Sequence, residues 1–216
     1  IGEKLGVNIW EAIQLANYHP RVNLHYPGPG VGGHCIAVDP WFIVEQAPHL
    51  AKLIHLARTI NDTMPNYVAR KIQYLATALG IDQPKVAVWG LSFKGNIDDM
   101  RGTPSLEVIK ALQGYGYDYT VFDPHIHENE VANQVHSLEE SVTDADFILV
   151  LTDHDYYKNV DIAQIGNRMR NTYVVDTRNL LDREQWRAAG FVHFQLGDSK
   201  NGNASRQVIE EVAITG

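Results

Sequence analysis

The hydrophobic positions follow a helical period up to residue 80. Apolar side chains recur there every three to four residues, which is typical of amphipathic helices. The pattern predicts helices over residues 1–17 and 41–80, and it is carried by Ile1, Leu5, Ile9, Ile13, Ala16, Leu50, Leu53, Ile54, Ala57, Ile60, Val68, Ile72, Leu75 and Leu79. Pro65 fits either a first helical turn or a kink, and Gly80 is a plausible helix end. Residues 19–40, between the two stretches, form a loop rich in glycine and proline.

Beyond residue 80 the apolar residues gather into short continuous runs. These runs predict strands over residues 85–91, 119–124, 147–153, 172–179 and 192–197. Helices are expected over 103–116, with Thr103 as N-cap and Pro104 in the first turn, and over 138–145. Strands that alternate with helices predict an α/β fold with a doubly wound, Rossmann-like parallel sheet. Ligands bind at the carboxyl ends of such strands.

The expected organisation is therefore a helical domain, a sheet domain and a tail. We place the helical domain at residues 1–82, the sheet domain at 83–198 and the tail at 199–216. The chain starts without methionine and inside a helical pattern, which suggests a fragment of a longer protein.

Charge and composition narrow the class of protein. The formal net charge is -8 and lysine and arginine form no cluster, so we expect no nucleic-acid partner. We also expect no membrane span, because no apolar run reaches the roughly 18 residues that one requires. There is no signal-peptide pattern, and a single cysteine excludes an internal disulfide and fits a reducing compartment. These features predict a cytoplasmic protein.

The loop segment PGPGVGGHC contains a G-x-G-x-x-G pattern at Gly28, Gly30 and Gly33. A dinucleotide fingerprint must follow a strand and open a helix, but Tyr26 and Pro27 precede this one and Pro29 lies inside it. We therefore do not expect it to bind a dinucleotide. Close approach of the backbone to an anion or sugar, and a tight structural turn, remain the two interpretations.

Cys35 ends that segment. A buried, inert thiol is the ordinary role of a single cysteine. However, Cys35 precedes a helix expected to begin near Asp39, and helix N-termini favour thiolates. Asp39 lies within reach if the intervening turn is helical, whereas the neighbouring His34 need not face the thiol. Neither a phosphatase pattern nor zinc-ligand spacing surrounds the cysteine, which leaves nucleophilic attack on a carbonyl as its candidate chemistry.

Three segments together carry a resemblance to a known family. GVGGHCIAVDPWF, ARTIND and VWGLSFKGNIDDMR resemble the UDP-glucose/GDP-mannose dehydrogenase family, and the resemblance covers residues 1 to about 197. It implies oxidation of the C6 alcohol of a UDP-sugar to a carboxylate with two NAD, a homodimer formed through the central helices, and a role in polysaccharide biosynthesis. HPRVN and CIAVDPWF favour N-acetyl-D-mannosamine as the sugar, with UDP-GlcNAc and UDP-glucose as alternatives.

The resemblance also implies roles for individual residues. Cys35 matches the nucleophile that forms a thiohemiacetal and a thioester, and Asp39 matches an acid that assists proton transfer. The implied substrate-binding residues are Arg21, which reaches a neighbouring subunit's site, Tyr26, Gly30, Gly32, Gly33, Phe93, Lys94 and Arg178. Arg101 matches an arginine that contacts NAD, and no metal is implied. Asp98 and Asp99 are expected to precede a helix or to face solvent, and Trp41 and Phe42 to be core residues.

The chain departs from the family in two local features and in one large one. Gly102-Thr103 replaces the common Glu-Ser, and Arg21 lies two residues closer to the cysteine than in UDP-glucose dehydrogenases. The family's NAD-binding domain, with its glycine fingerprint, catalytic lysine and asparagine, is not in this chain. We therefore expect the chain to be inactive alone. If it is complete, the alternative is a non-catalytic module that binds a nucleotide sugar and dimerises.

Overall fold

The computed structural model describes residues 1–198, so the predicted tail lies outside the described residues. The helical part is made of short helices rather than two long ones. Gly6, with a φ of 77°, separates the first two, and Pro48 lies between the third and fourth. In chain order the helices are α1 (Gly2–Leu5), α2 (Ile9–Asn17), α3 (Asp39–Gln46), α4 (Lys52–Asp62) and α5 (Met64–Ala78). Pro65 lies in the first turn of α5, and Gly80 follows its end with a φ of 70°.

The second part is a five-stranded parallel sheet with the strand order β2-β1-β3-β4-β5. Its strands are β1 (Lys85–Trp89), β2 (Asp118–Phe122), β3 (Phe147–Val150), β4 (Tyr173–Asp176) and β5 (Val192–Gln195). Its helices are α6 (Pro104–Gly114), α7 (Leu138–Val142), α8 (Ile162–Gly166) and α9 (Arg183–Ala188), and a 3-10 turn spans Asp155–Asn159. The predicted α/β class is confirmed, although α8 and α9 were not predicted. The strands end earlier than the apolar runs suggested, so the polar residues beyond them lie in loops.

Two apolar layers cover the sheet, because successive strand residues point to opposite faces. Val88 and Leu149 face a layer that contains α5 and α6. Trp89 and Val150 face a layer that contains α7, α8 and α9. Because α5 supplies Val68, Ile72 and Leu75 to the first layer, the helical part and the sheet share one core.

Hydrogen bonds to Glu3 connect the start of the chain to α5 and to the segment just after β5. Its carboxylate accepts hydrogen bonds from Tyr67 Oη (2.6 Å), Lys71 Nζ (2.8 Å) and the Gly197 amide (2.8 Å). Burial acts to raise the pKa of Glu3, but Lys71 and these hydrogen bonds lower it overall. The Trp10 indole donates to Leu196 O at 2.7 Å. These bonds hold α1 and α2 against the carboxyl edge of the sheet.

Among residues 1–198, nothing covers a wide apolar surface on the hairpin of α3 and α4. We call it the α3–α4 face, and its exposed residues are Phe42, Ile43, Leu50, Leu53, Leu56 and Ile60. The expectation that Phe42 is a core residue is wrong, since 59% of it is exposed, and Trp41 is only half-buried. None of the helices described within residues 1–198 is long and apolar enough to cross a membrane.

Candidate active site

The candidate site lies where the order of the sheet reverses, between β1 and β3. In doubly wound sheets this switch point leaves a crevice at the carboxyl ends of the strands. The loop 90–96, which follows β1, and residues 151–154, which follow β3, enclose it.

A buried polar cluster holds these two loops together. Asp123 Oδ2 accepts hydrogen bonds from the amides of Leu91 (2.7 Å) and Ser92 (3.1 Å), and His154 Nε2 lies 3.0 Å away. The Asn96 amide donates to His154 Nδ1 at 2.9 Å, so that nitrogen is an acceptor and the ring proton lies on Nε2, facing Asp123. Burial acts to raise the pKa of Asp123, but the His154 contact and the backbone donors lower it. The cluster therefore fixes loop 90–96 at both ends.

Phe93 and Lys94 are carried by this fixed loop. Phe93 is half-buried, and its amide donates to Asp99 O at 3.1 Å. The Lys94 side chain is exposed, and its ammonium group has no ion-pair partner among residues 1–198. A free ammonium group on a rigid loop suits the binding of an anion.

The glycine loop packs directly on loop 90–96 and on the start of α6. Gly32 and Gly33 are buried, and a Cβ at Gly33 would lie 3.3 Å from the Phe93 ring. Gly30 and Gly33 have φ values of 139° and 96°, which favour glycine. Asn61 clamps the loop from α4, because its Oδ1 accepts from the Val31 amide (2.7 Å) and its Nδ2 donates to Val31 O (3.3 Å). A tight structural turn accounts for the positive φ values of Gly30 and Gly33 and for the burial of Gly32 and Gly33.

Cys35 follows the loop at the entrance of α3. Cys35 O accepts hydrogen bonds from the amides of Val38 (3.0 Å) and Asp39 (2.8 Å), so the intervening turn is helical, the condition set for Asp39 to be within reach. The thiol is exposed, and its Sγ lies 3.1 Å from His34 Nδ1. Asp39 is exposed in the first turn of α3. Sequence reasoning missed the contact with His34, because adjacency in a chain does not give side-chain direction.

Arg101 is paired with Asp99, and the next residue, Gly102, packs against Gly32 and Gly33 of the glycine loop. The guanidinium group binds the carboxylate through Nη2–Oδ2 (2.6 Å) and Nε–Oδ1 (2.9 Å). These hydrogen bonds lower the pKa of Asp99 to about 2, and His34 contributes in the same direction. They also raise the pKa of Arg101, and the charge of Cys35 adds to that effect. Asp99, expected to precede a helix or to face solvent, is thus the partner of Arg101. An acid two residues before the arginine was the available signal.

Arg178 and Tyr26 line a separate cavity at the carboxyl edge. Arg178 Nη2 lies 3.1 Å from Asp153 Oδ1, an ion pair rather than an aligned hydrogen bond. Tyr26 stacks on Trp10 with a centroid distance of 5.8 Å and an interplanar angle of 15°. The cavity measures about 450 Å³ and is lined by Asn8, Trp10, Glu11, Gln14, Tyr26, Asp153, Arg178, Asn179 and Gln195.

The predicted residues thus fall into three sets. The glycines, Cys35 and Asp39 lie on the glycine loop and the start of α3, together with Phe93, Lys94 and Arg101 of the segment that follows β1. Tyr26 and Arg178 share the cavity. Arg21 stands apart, exposed and without a side-chain partner among residues 1–198. No group of three or more histidine, cysteine or acidic side chains in that range is arranged to hold a metal ion.

Two family models match the sequence of this chain. The central domain of the UDP-glucose/GDP-mannose dehydrogenase family matches residues 1–63, and the UDP binding domain of the same family matches residues 87–183. The two matches cover the glycine loop with Cys35 and most of the sheet. The chain therefore belongs to the UDP-glucose/GDP-mannose dehydrogenase family.

Individual relatives show which members of the family the chain resembles in sequence and structure. The chain is 46% identical over 204 residues to a UDP-N-acetyl-D-mannosamine dehydrogenase of Methanocaldococcus jannaschii, which covers 93% of this chain and 46% of the relative. It is 43% identical over 185 residues to an NDP-N-acetyl-D-galactosaminuronic acid dehydrogenase of Ralstonia nicotianae, covering 83% and 42%. The structure of a UDP-D-ManNAc dehydrogenase from Pyrococcus horikoshii matches with a TM-score of 0.82 and 35% identity, over 92% of this chain and 46% of that one. The chain spans about half the length of the curated relatives it matches.

Proposed function

We propose that this chain is the nucleophile-bearing and UDP-sugar-binding part of an NAD-dependent UDP-sugar 6-dehydrogenase. The proposed reaction oxidises the C6 alcohol of UDP-N-acetyl-D-mannosamine to the carboxylate. The observation that carries the proposal is an exposed thiol on a glycine loop that packs on the switch-point loop of a parallel sheet. The names of the similar proteins favour an N-acetylated sugar.

Cys35 would act between the two oxidations. Its sulfur adds to the C6 aldehyde and gives a thiohemiacetal, which keeps the aldehyde from diffusing away. Oxidation of that adduct leaves a thioester, and hydrolysis releases the acid and restores the thiol. Asp39, one helical turn from Cys35, assists these proton transfers through water.

NAD, when bound, accepts the hydride in each oxidation. Within this chain Arg101 is the residue that would contact it. Its guanidinium group is largely exposed, which fits an anionic dinucleotide delivered by another domain. The pairing with Asp99 orients the group and lowers its net charge.

The UDP-sugar would lie along the carboxyl edge of the sheet. Lys94 and Arg178 supply cations for the diphosphate, while Tyr26 and the backbone of Gly30, Gly32 and Gly33 contact the substrate. Phe93 packs against Gly32 and Gly33 of the glycine loop. Arg21, exposed and unpaired among the described residues, is the cation available to reach the site of a second subunit.

We further propose that residues 1–82 form a dimerisation domain and residues 83–198 the UDP-sugar domain. The exposed α3–α4 face supports a homodimer, because an apolar surface of this extent is costly in water. The assembly would work in the cytoplasm and supply polysaccharide biosynthesis with a sugar acid.

The proposal is tested by calorimetric titration of the chain with UDP-ManNAc, UDP-GlcNAc and UDP-glucose. We expect UDP-ManNAc to bind most tightly and Lys94→Gln to weaken it, whereas Lys110→Gln, an exposed lysine on α6, leaves it unchanged. The chain alone should form no NADH, and the full-length protein should form it only while Cys35 is present. Failure of the full-length protein to form NADH from any of the three sugars overturns the proposal.

A further inference from the structure

We propose that His34 is a catalytic residue, which accepts the proton of the Cys35 thiol and returns it to the aldehyde oxygen as the carbon–sulfur bond forms. The acceptance of the thiol proton stands on the structure of the loop alone. The transfer to the aldehyde oxygen rests on the proposed function.

The geometry of the loop makes this contact specific. Neighbouring side chains in extended chain point in opposite directions, so adjacent residues rarely touch. Here Gly33, with a φ of 96°, and the helical turn after Cys35 bring His34 Nδ1 to 3.1 Å from Sγ. That separation is within hydrogen-bond range for sulfur. The buried packing of Gly32 and Gly33 on Phe93 and Gly102 holds the turn in place.

The surrounding charges suit transfer of the proton. Asp99 is the carboxylate whose charge couples to His34, and Arg101 is the cation whose charge couples to Cys35. Once the proton has moved to the imidazole, the charge of Asp99 is opposite to that of His34, and the charge of Arg101 is opposite to that of Cys35. Both electrostatic interactions are then attractive. Asp39, the other carboxylate on this turn, lies beyond Cys35 in the first turn of α3.

The proposed step needs no oxidant and balances on its own. The S–H bond breaks and its proton moves to His34 Nδ1. The sulfur lone pair forms the S–C6 bond, and the π pair of the carbonyl moves to oxygen. That oxygen takes the proton back from Nδ1, so thiol and aldehyde become a thiohemiacetal with histidine regenerated.

The first test measures alkylation of Cys35 by iodoacetamide in the purified chain, where it is the only thiol. We compare the wild type with His34→Asn, which keeps a polar group near sulfur but cannot carry the proton. His49→Asn, in an exposed turn remote in sequence, is the matched control. A free thiol is only a few per cent ionised at pH 7, so loss of the acceptor should slow alkylation about tenfold or more there. The gap should close near pH 10, where any accessible thiol ionises.

Equal alkylation rates for His34→Asn and the wild type near pH 7 overturn the proposal. A rate difference that is the same at every pH also overturns it, because such a difference indicates only steric crowding of the thiol. In the full-length protein we expect His34→Asn to lower kcat by about a hundredfold with little change in KM for the UDP-sugar. An unchanged kcat overturns the catalytic role. Absence of NADH formation in the wild type, beside alkylation that still depends on His34, instead overturns the proposed function and with it the transfer to the aldehyde.

Discussion

Replacement of Gly32 by alanine tests whether packing against loop 90–96 and α6 fixes the position of the glycine loop that carries Cys35. Gly32 is buried between Phe93 and the start of α6. An added Cβ would lie 2.5 Å from Gly102 O, 2.7 Å from Pro104 Cδ and 3.1 Å from Phe93 Cβ. Gly32 is not among the glycines with positive φ, so the backbone itself tolerates alanine. The loss of stability expected from the substitution therefore comes only from steric contacts of the added Cβ.

The size of that cost follows from what the methyl group meets. The shortest of these distances falls about 1 Å below ordinary van der Waals contact, and the atoms concerned belong to backbone and a proline ring. They cannot rotate away, so the loop must shift by a comparable distance. Overpacking of this kind costs about 1–3 kcal/mol, which corresponds to a fall in Tm of roughly 2–12 °C for a chain of this size.

Urea unfolding followed by circular dichroism measures the change in the free energy of unfolding. Gly114→Ala is the control, because Gly114 ends α6 with no atom within 4 Å of its added Cβ. Alanine in that helix should be neutral or stabilising by up to about 1 kcal/mol. If Gly32→Ala unfolds within about 0.5 kcal/mol of the wild type, the loop is not held by this packing and the reasoning fails.

Two further substitutions separate binding from stability. In Gly28→Ala the new methyl group meets the flexible end of the Arg178 side chain. We therefore expect the free energy of unfolding to change by less than about 0.5 kcal/mol, and UDP binding measured by calorimetry to weaken. Unchanged affinity would contradict a role for Arg178. Asp123→Asn removes the charge at the centre of the buried cluster and should cost about 1–3 kcal/mol in urea unfolding, and an equally stable variant would show that the cluster does not hold the loop. Because folding lowers the pKa of Asp123 from 3.8, its contribution is complete above about pH 5 and is lost as the pH falls through 3.8 to the folded value. The stability of Asp123→Asn should therefore decline less than that of the wild type between pH 5 and pH 3.

The hydrophobic period predicted the fold because both of its signals are local. Continuous apolar runs marked all five strands, and a helical period marked α5, whose apolar face is buried on the sheet. The same period in α4 gave a helix but not a buried face. Leu53 in α4 and Leu50 just before it are apolar at the right spacing, yet 79% and 89% of their surfaces are exposed. The hydrophobic pattern identifies an apolar face of a helix, but it does not show whether that face is buried within the same chain.

The site was predictable in its residue types and not in its contacts. The sequence marked Cys35, Lys94 and Arg101 through motifs with fixed spacing. It did not reveal that Asp99 binds Arg101, or that His34 faces the thiol, because both depend on turns whose direction is set by packing elsewhere. The glycine loop shows the same limit, since its residues satisfy a nucleotide-binding pattern while their buried members serve to pack the loop on Phe93.

The order of these contacts explains how a thiol on an exposed turn keeps a fixed position. The buried cluster of Asp123 and His154 holds loop 90–96, that loop presents Phe93, and the glycine loop that carries Cys35 rests on Phe93. Lys94 lies on the same loop, so the thiol and the proposed diphosphate contact share one support. A change at Asp123 should therefore disturb thiol reactivity and UDP binding together, although it touches neither group. Separate loss of one without the other would mean that the two loops are held independently.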